Sequence, residues 1–108
     1  MQRLLFICSR NRLRSPTAEQ VFAAYPKVET ASAGLAPDAD DPLTPDHLDG
    51  VDIVFVMERA HQARLNRHFG RYLKGVKVVC LNIPDDFTFM HPELVALLKA
   101  GVEPHLKA

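Results

Sequence analysis

The chain of 108 residues has no tryptophan, five glycines and two cysteines, and its formal net charge is zero. Each shortage removes a class of function. Zero net charge argues against a general binder of nucleic acid or of anionic membrane surfaces. Cys8 and Cys80 lie far apart and form no Cys-x-x-Cys pair, which excludes a disulfide scaffold and a cysteine zinc site. The histidines at 47, 61, 68, 91 and 105 include no pair three or four apart. No helical metal face is written there, and all five read as surface or packing residues. No apolar run approaches the length of a membrane span, and the first one is too short and wrongly flanked for a signal peptide. The expectation is a reduced, cytoplasmic setting. Glycine-rich nucleotide loops are missing too: no G-x-G-x-x-G follows a strand, and no Gly-Lys-Ser/Thr occurs.

What is present is ordinary globular material, 47% hydrophobic and 24% charged, of a length that predicts one domain over 1–108. Charge is unevenly placed. Asp38 to Asp52 holds acidic side chains without Lys or Arg, and Arg59 to Lys77 is almost wholly basic. Each reads first as a solvated face. Leu4-Leu5-Phe6-Ile7 is a continuous apolar run, as expected of a strand covered on both faces. Val51–Met57 and Val76–Leu81 repeat that character, and Lys27–Ala31 predicts a shorter edge strand. Between them lie helical patterns. Ala18, Val21, Phe22 and Tyr25 recur at spacings of three and four, after Ser15 as N-cap and Pro16 as first helical residue. A second helix is predicted over Arg59–Phe69, with Leu65 and Phe69 inward, Arg64, Arg67 and His68 outward, and Gly70 as the stop. A third begins near Pro92 and ends near Gly101, and Leu43–Leu48 predicts one short turn. Strands alternating with helices predict an α/β fold, a mostly parallel sheet between two helical layers. Such sheets bind ligands at the carboxyl ends of their strands.

Cys8 stands at such an end. The segment Cys8-Ser9-Arg10-Asn11-Arg12-Leu13-Arg14-Ser15 joins a strand to a helix N-terminus as a Cys-x5-Arg-Ser loop. A thiol attacks as thiolate, and a helix N-terminus with a cationic neighbour favours that form. The backbone N–H groups of Ser9 to Ser15 converge on a tetrahedral oxyanion, and Arg14 closes the cradle with a planar fork. The Ser15 hydroxyl is placed to donate to the sulfur. The loop lacks glycine, so any left-handed backbone angle in it falls to another residue, and Asn11 is the natural candidate. The competing reading is a buried structural thiol with a soluble arginine flank.

These residues resemble the low-molecular-weight protein tyrosine phosphatases, whose signature reads approximately C-x-G-N-x-C-R-S-P. Cys8, Asn11, Arg14, Ser15 and Pro16 match it position by position. "ASAG" at Ala31–Gly34, "LTPDHLDGVDIVFVME" and "IPDDF" at Ile83–Phe87 are similar to later segments of the family. The resemblance implies a four-stranded parallel sheet with helices on both sides, of the phosphatase I (Rossmann-like) type. It implies Cys8 as nucleophile and Arg14 as phosphate clamp, with Asn11 and Ser15 shaping the loop and Ser32 bonding Asn11. It implies Asp85 as general acid, with no metal or cofactor required, acting on a phosphorylated small molecule or phosphoprotein. The chain also departs from the pattern. Arg10 stands where the family usually has glycine, Arg12 is unusual, and Leu13 replaces a second cysteine. Asp86 occupies a position commonly held by proline and is the alternative acid. Between Gly34 and Leu43 stands "LAPDADDPL" in place of a helix and a further stretch of chain. The variant is short and helix-deleted, which predicts a shallower, more open site. Phe87 and Phe89 are the candidates for an aromatic wall, or else core.

Two other functions stay open on the sequence. Arsenate reduction on the same fold needs a relay of thiols, in this molecule or in glutathione or thioredoxin, and Cys80 is expected in an interior strand, where it would be inert. An anion-binding regulatory module would keep the cradle without turnover. A carboxylate at the rim repels a dianion and serves only a leaving group, so the two at 85 and 86 favour an enzyme.

Overall fold

The apolar run near the N-terminus forms β1 (Gln2–Cys8), and in the computed structural model, which describes residues 1–107, it lies inside a parallel sheet. The chain continues through α1 (Arg14–Ala23), β2 (Val28–Gly34), α2 (Pro45–Leu48) and β3 (Ile53–Val56). It then passes through α3 (Arg59–Phe69), a 3-10 turn over Gly70–Tyr72, β4 (Lys77–Cys80), α4 (Pro92–Val102) and a second 3-10 turn at Glu103–His105. The strand order is β2-β1-β3-β4, with every pairing parallel. Cys8 pairs with Gly34, so the sheet's carboxyl edge gathers the ends of β1 and β2.

Two cores follow from the period-two alternation of buried strands. On one face Leu4, Phe6 and Cys8 pack with Phe55 and Met57 against Ala18 and Phe22 of α1 and Leu94 and Leu98 of α4. Phe6 lies between Phe22 and Phe55, with ring centroids at 5.7 and 5.3 Å. On the other face Leu5, Ile7, Val54 and Val56 meet Leu48 of α2 and Leu65 of α3. The molecule is therefore three layers, helices on both sides of a four-stranded parallel sheet, as the alternation of patterns predicts.

Three expectations need correction. The strand predicted at Lys27–Ala31 runs to Gly34, because the whole of β2 pairs with β1. The helix after the loop starts at Arg14, with Leu13 as N-cap, not at Pro16 behind Ser15. Pro16 still fits, since the first turn of a helix leaves its N–H groups without intrahelical acceptors. Cys80 is not interior. β4 has a neighbour on one side only, and Cys80 is half-buried there, near Asn82 Oδ1 at 3.4 Å.

Candidate active site

β1 ends by carrying the Cys8 side chain, 4% exposed, into the turn that precedes α1. Its Sγ lies 2.9 Å from Ser15 Oγ, and Ser15 Oγ lies 2.8 Å from Asn11 Oδ1. A hydroxyl has one proton to give. With Ser15 donating to Asn11, the sulfur must be the donor to Ser15. If Asn11 instead presents its amide N–H₂ to Ser15, the Ser15 proton is released to the sulfur and a thiolate is satisfied. Freed from the N-cap position, Ser15 is spent on this relay. Asn11 holds it from a left-handed conformation, φ 56°, in the loop that lacks glycine.

The loop's outer side is tied by the segment after β2. Leu35 N donates to Cys8 O at 3.0 Å, Ala36 N to Ser9 O at 2.8 Å and Asp40 N to Arg10 O at 3.0 Å. The carbonyls of Cys8, Ser9 and Arg10 are thereby satisfied, whereas among the described residues no N–H from Ser9 to Leu13 donates to a backbone carbonyl. A row of unspent amides at a helix start is what an anion requires. The tie also explains Gly34: a Cβ there would stand 2.5 Å from Ala39 Cβ and 2.7 Å from Ser9 O.

Arg14 is 3% exposed. Its Nη1 donates to Ile83 O at 2.8 Å and meets Glu58 Oε2 at 2.8 Å. Both protons of that nitrogen are thus engaged. The Nε–Nη2 edge remains as the fork for two oxygens of a tetrahedral anion. Asp85 Oδ1 stands 3.5 Å from Nε, with its carboxylate 62% exposed at the mouth. Cys8, Ser9, Arg10, Arg12, Leu13, Arg14 and Asp85 line one cavity of about 430 Å³. Asp86 is exposed and does not line it. No residue of 34–43 contributes to the lining either, so the cavity is walled by the loop and Asp85.

Arg10 and Arg12 face acids. Arg10 Nη1 is 3.7 Å from Asp38 Oδ2 and Arg12 Nε is 3.2 Å from Asp40 Oδ1, all four side chains about half exposed or more. Part of the acidic stretch is therefore a counter-charge for the loop. Ser32 does not reach Asn11. The register sets it opposite Phe6, one pleat repeat before Cys8, where its hydroxyl donates to Glu19 of α1.

Two residues of this site carry no loop motif. Glu58, between β3 and α3, holds Arg14, and that hydrogen bond keeps its carboxyl below the usual range. His61 is 3% exposed, with Nε2 3.1 Å from Ser9 Oγ and 3.6 Å from Glu58 Oε2, and its Nδ1 is buried without a partner. Burial first, then the Arg14 charge, push its pKa down. A neutral ring with the proton on Nε2 leaves only an acceptor unmet at Nδ1. A charged ring would strand a buried donor. His61 is thus a site residue rather than plain packing. The sequence held a signal: His61, Leu65 and Phe69 recur every four residues, which puts His61 inward at the helix end nearest the strands' carboxyl edge.

The same architecture occurs among solved structures. YwlE arginine phosphatase from Geobacillus stearothermophilus superposes with a TM-score of 0.77 at 22% identity, over 97% of this chain and 93% of that one. SP-PTP, a low molecular weight protein tyrosine phosphatase from Streptococcus pyogenes, gives 0.79 at 16% identity over 100% and 95%. The tyrosine phosphatase Wzb from Escherichia coli K30, in complex with phosphate, gives 0.76 at 21% over 96% and 95%. This is the low-molecular-weight tyrosine phosphatase fold. No family model matches the sequence, and no curated protein does. Within the phosphatase fold, Cys8 and its loop occupy the carboxyl edge at which open α/β sheets take ligands.

Proposed function

We propose that the chain is a cysteine-dependent phosphomonoester hydrolase, protein tyrosine phosphatase-like, that works through a cysteinyl-phosphate. The convergence of Cys8, Arg14 and Asp85 on one cavity carries this reading. The phosphoryl group of the substrate sits on the loop amides, with two oxygens on the Nε–Nη2 edge of Arg14. Cys8 Sγ attacks phosphorus and the P–O bond to the leaving group breaks. Asp85, protonated, gives its proton to the departing oxygen. As carboxylate it then takes a proton from water, whose oxygen attacks the thiophosphate. The P–S bond breaks, inorganic phosphate leaves, and Ser15 steadies the restored thiolate. Aryl phosphates are the favoured class, because a phenol departs more easily than an alkyl alcohol.

Asp85 suits the acid because it lines the cavity beside the fork, whereas Asp86 does not. Arsenate reduction through a thiol relay inside the chain finds no support. Cys80 lies two strands from Cys8, about 10 Å laterally at ordinary strand spacing, beyond disulfide reach. A passive anion binder would have no use for a carboxylate facing its own fork. The test incubates the pure protein with phenyl phosphate and no added metal, beside Cys8→Ser. Phosphate release by the parent alone supports the reading. Equal release, or none from either, removes it.

A further inference from the structure

Two shallow depressions lead away from the cavity on the α3 side. The first is bounded by Glu58, Arg59, Asn82, Ile83 and Pro84. The second shares Arg59 and Asn82 with it and continues along Gln62, Asn66 and Cys80. The track begins at the active site itself, because Glu58 and Ile83 are the two acceptors that hold Arg14. It runs beside the carboxyl end of β4, an edge strand with no neighbour on its outer side. From Arg59 to Asn66 the helix rises about 10 Å, the span of about three extended residues.

The lining selects among occupants. Gln62, Asn66 and Asn82 present amides, which donate and accept as peptide groups do. A nucleic-acid channel would stack bases on aromatic rings and follow phosphates with several cations. Here no aromatic residue lines the track, and Arg59 is its one cation. An open strand edge suits an extended polypeptide, which can add main-chain hydrogen bonds to it. Charge points the same way. Among the described residues, none of the cations from Arg59 to Lys77 forms an ion pair, whereas Arg3, Arg10, Arg12 and Arg14 all do. Across the loop, Arg10 and Arg12 are already met by Asp38 and Asp40, so the unpaired positive charge lies on the α3 side.

We propose that this track between α3 and β4 holds the polypeptide flanking the phosphorylated residue, and that Arg59 selects an acidic side chain within it. The proposal rests on the hydrolase reading of Cys8 and adds where the rest of a protein substrate lies. The flanking chain leaves the cavity over Pro84, passes Arg59 and follows the amides toward Asn66.

The experiment compares three substrates: phenyl phosphate, a phosphotyrosine peptide with neutral flanks, and the same peptide with acidic residues on both sides. The parent protein should show a lower KM for the acidic peptide than for the neutral one. Arg59→Glu should raise the acidic peptide's KM about tenfold, with kcat for it and all phenyl phosphate kinetics unchanged within about twofold. Asn66→Ala should raise KM for both peptides and leave phenyl phosphate alone. Equal KM for the two peptides in the parent, or parallel losses on phenyl phosphate in Arg59→Glu, overturns the proposal. Displacement of peptide by a single-stranded oligonucleotide, with no preference between the two peptides, overturns it as well. If no substrate turns over, the hydrolase reading is lost. The track is then read by fluorescence anisotropy of the labelled acidic peptide on Cys8→Ser. Binding weakened about tenfold by adding Arg59→Glu supports the track, and binding unaffected by it removes it.

Discussion

Asn11 shows how far single residues can be read. Where a glycine-free loop needs a left-handed residue, Asn is among the few that enter that region cheaply; Asn11 does so at 56°. Cys8 and Arg14 were legible by type and spacing and Asp85 through the resemblance alone, and the three line one cavity. Glu58 was not legible, because nothing local in "VMERAH" says that a buried guanidinium arrives from forty-four positions away in the chain. Ser32 misled because resemblance carries a residue type but not its register. Asp85→Asn should slow turnover of esters with poor leaving groups by about 10²–10⁴-fold, and activated aryl esters much less. Asp86→Asn should leave both nearly unchanged. A series of phenyl phosphates of graded leaving-group acidity measures this, and the reverse pattern would move the role to Asp86.

At the scale of elements, patterning found every helix and strand, because apolar periodicity survives tertiary context where the segment is buried. Ends were less legible. β2 extends through Ser32-Ala33-Gly34 because β1 supplies partners, a non-local cause that the segment's own composition does not contain. The replaced stretch from 35 to 43 adds nothing to the cavity lining and instead forms a strap whose amides tie three loop carbonyls and whose aspartates meet Arg10 and Arg12. Those ion pairs are exposed and add little stability. The backbone contacts depend on close approach at Gly34. Gly34→Ala should therefore force strap and loop apart, destabilising the fold by about 1–3 kcal/mol and weakening phosphate binding with it. Thermal melts with and without inorganic phosphate would show both losses. A variant that melts as the parent does and keeps its phosphate-induced rise in Tm would refute the strap's role.

For the whole molecule, net neutrality concealed segregation. Acids of the same chain balance the loop's arginines while, among the described residues, the cations of α3 form no ion pair, a difference that composition averages away. Titration of the folded state has one clear global consequence. The His61 pKa is lowered from its ordinary 6.5 by burial and by Arg14. The unfolded chain therefore binds a proton near that pH that the folded one refuses. Stability from this source is complete above about 6.5 and declines as pH falls toward the depressed folded value. Tm should drop over that window, and His61→Phe should flatten the drop. An unchanged slope in the variant would mean that His61 contributes nothing there.

β1 is paired along all seven residues with β2 and over Leu4–Ile7 with β3, and both of its faces are covered. The Cys8 sulfur is thus the tip of the most deeply moored segment. Fraying of helix ends or of the outer strand β4 passes it by. Chemical competence at Cys8 should persist until the sheet as a whole gives way, so that loss of function and loss of fold become a single event.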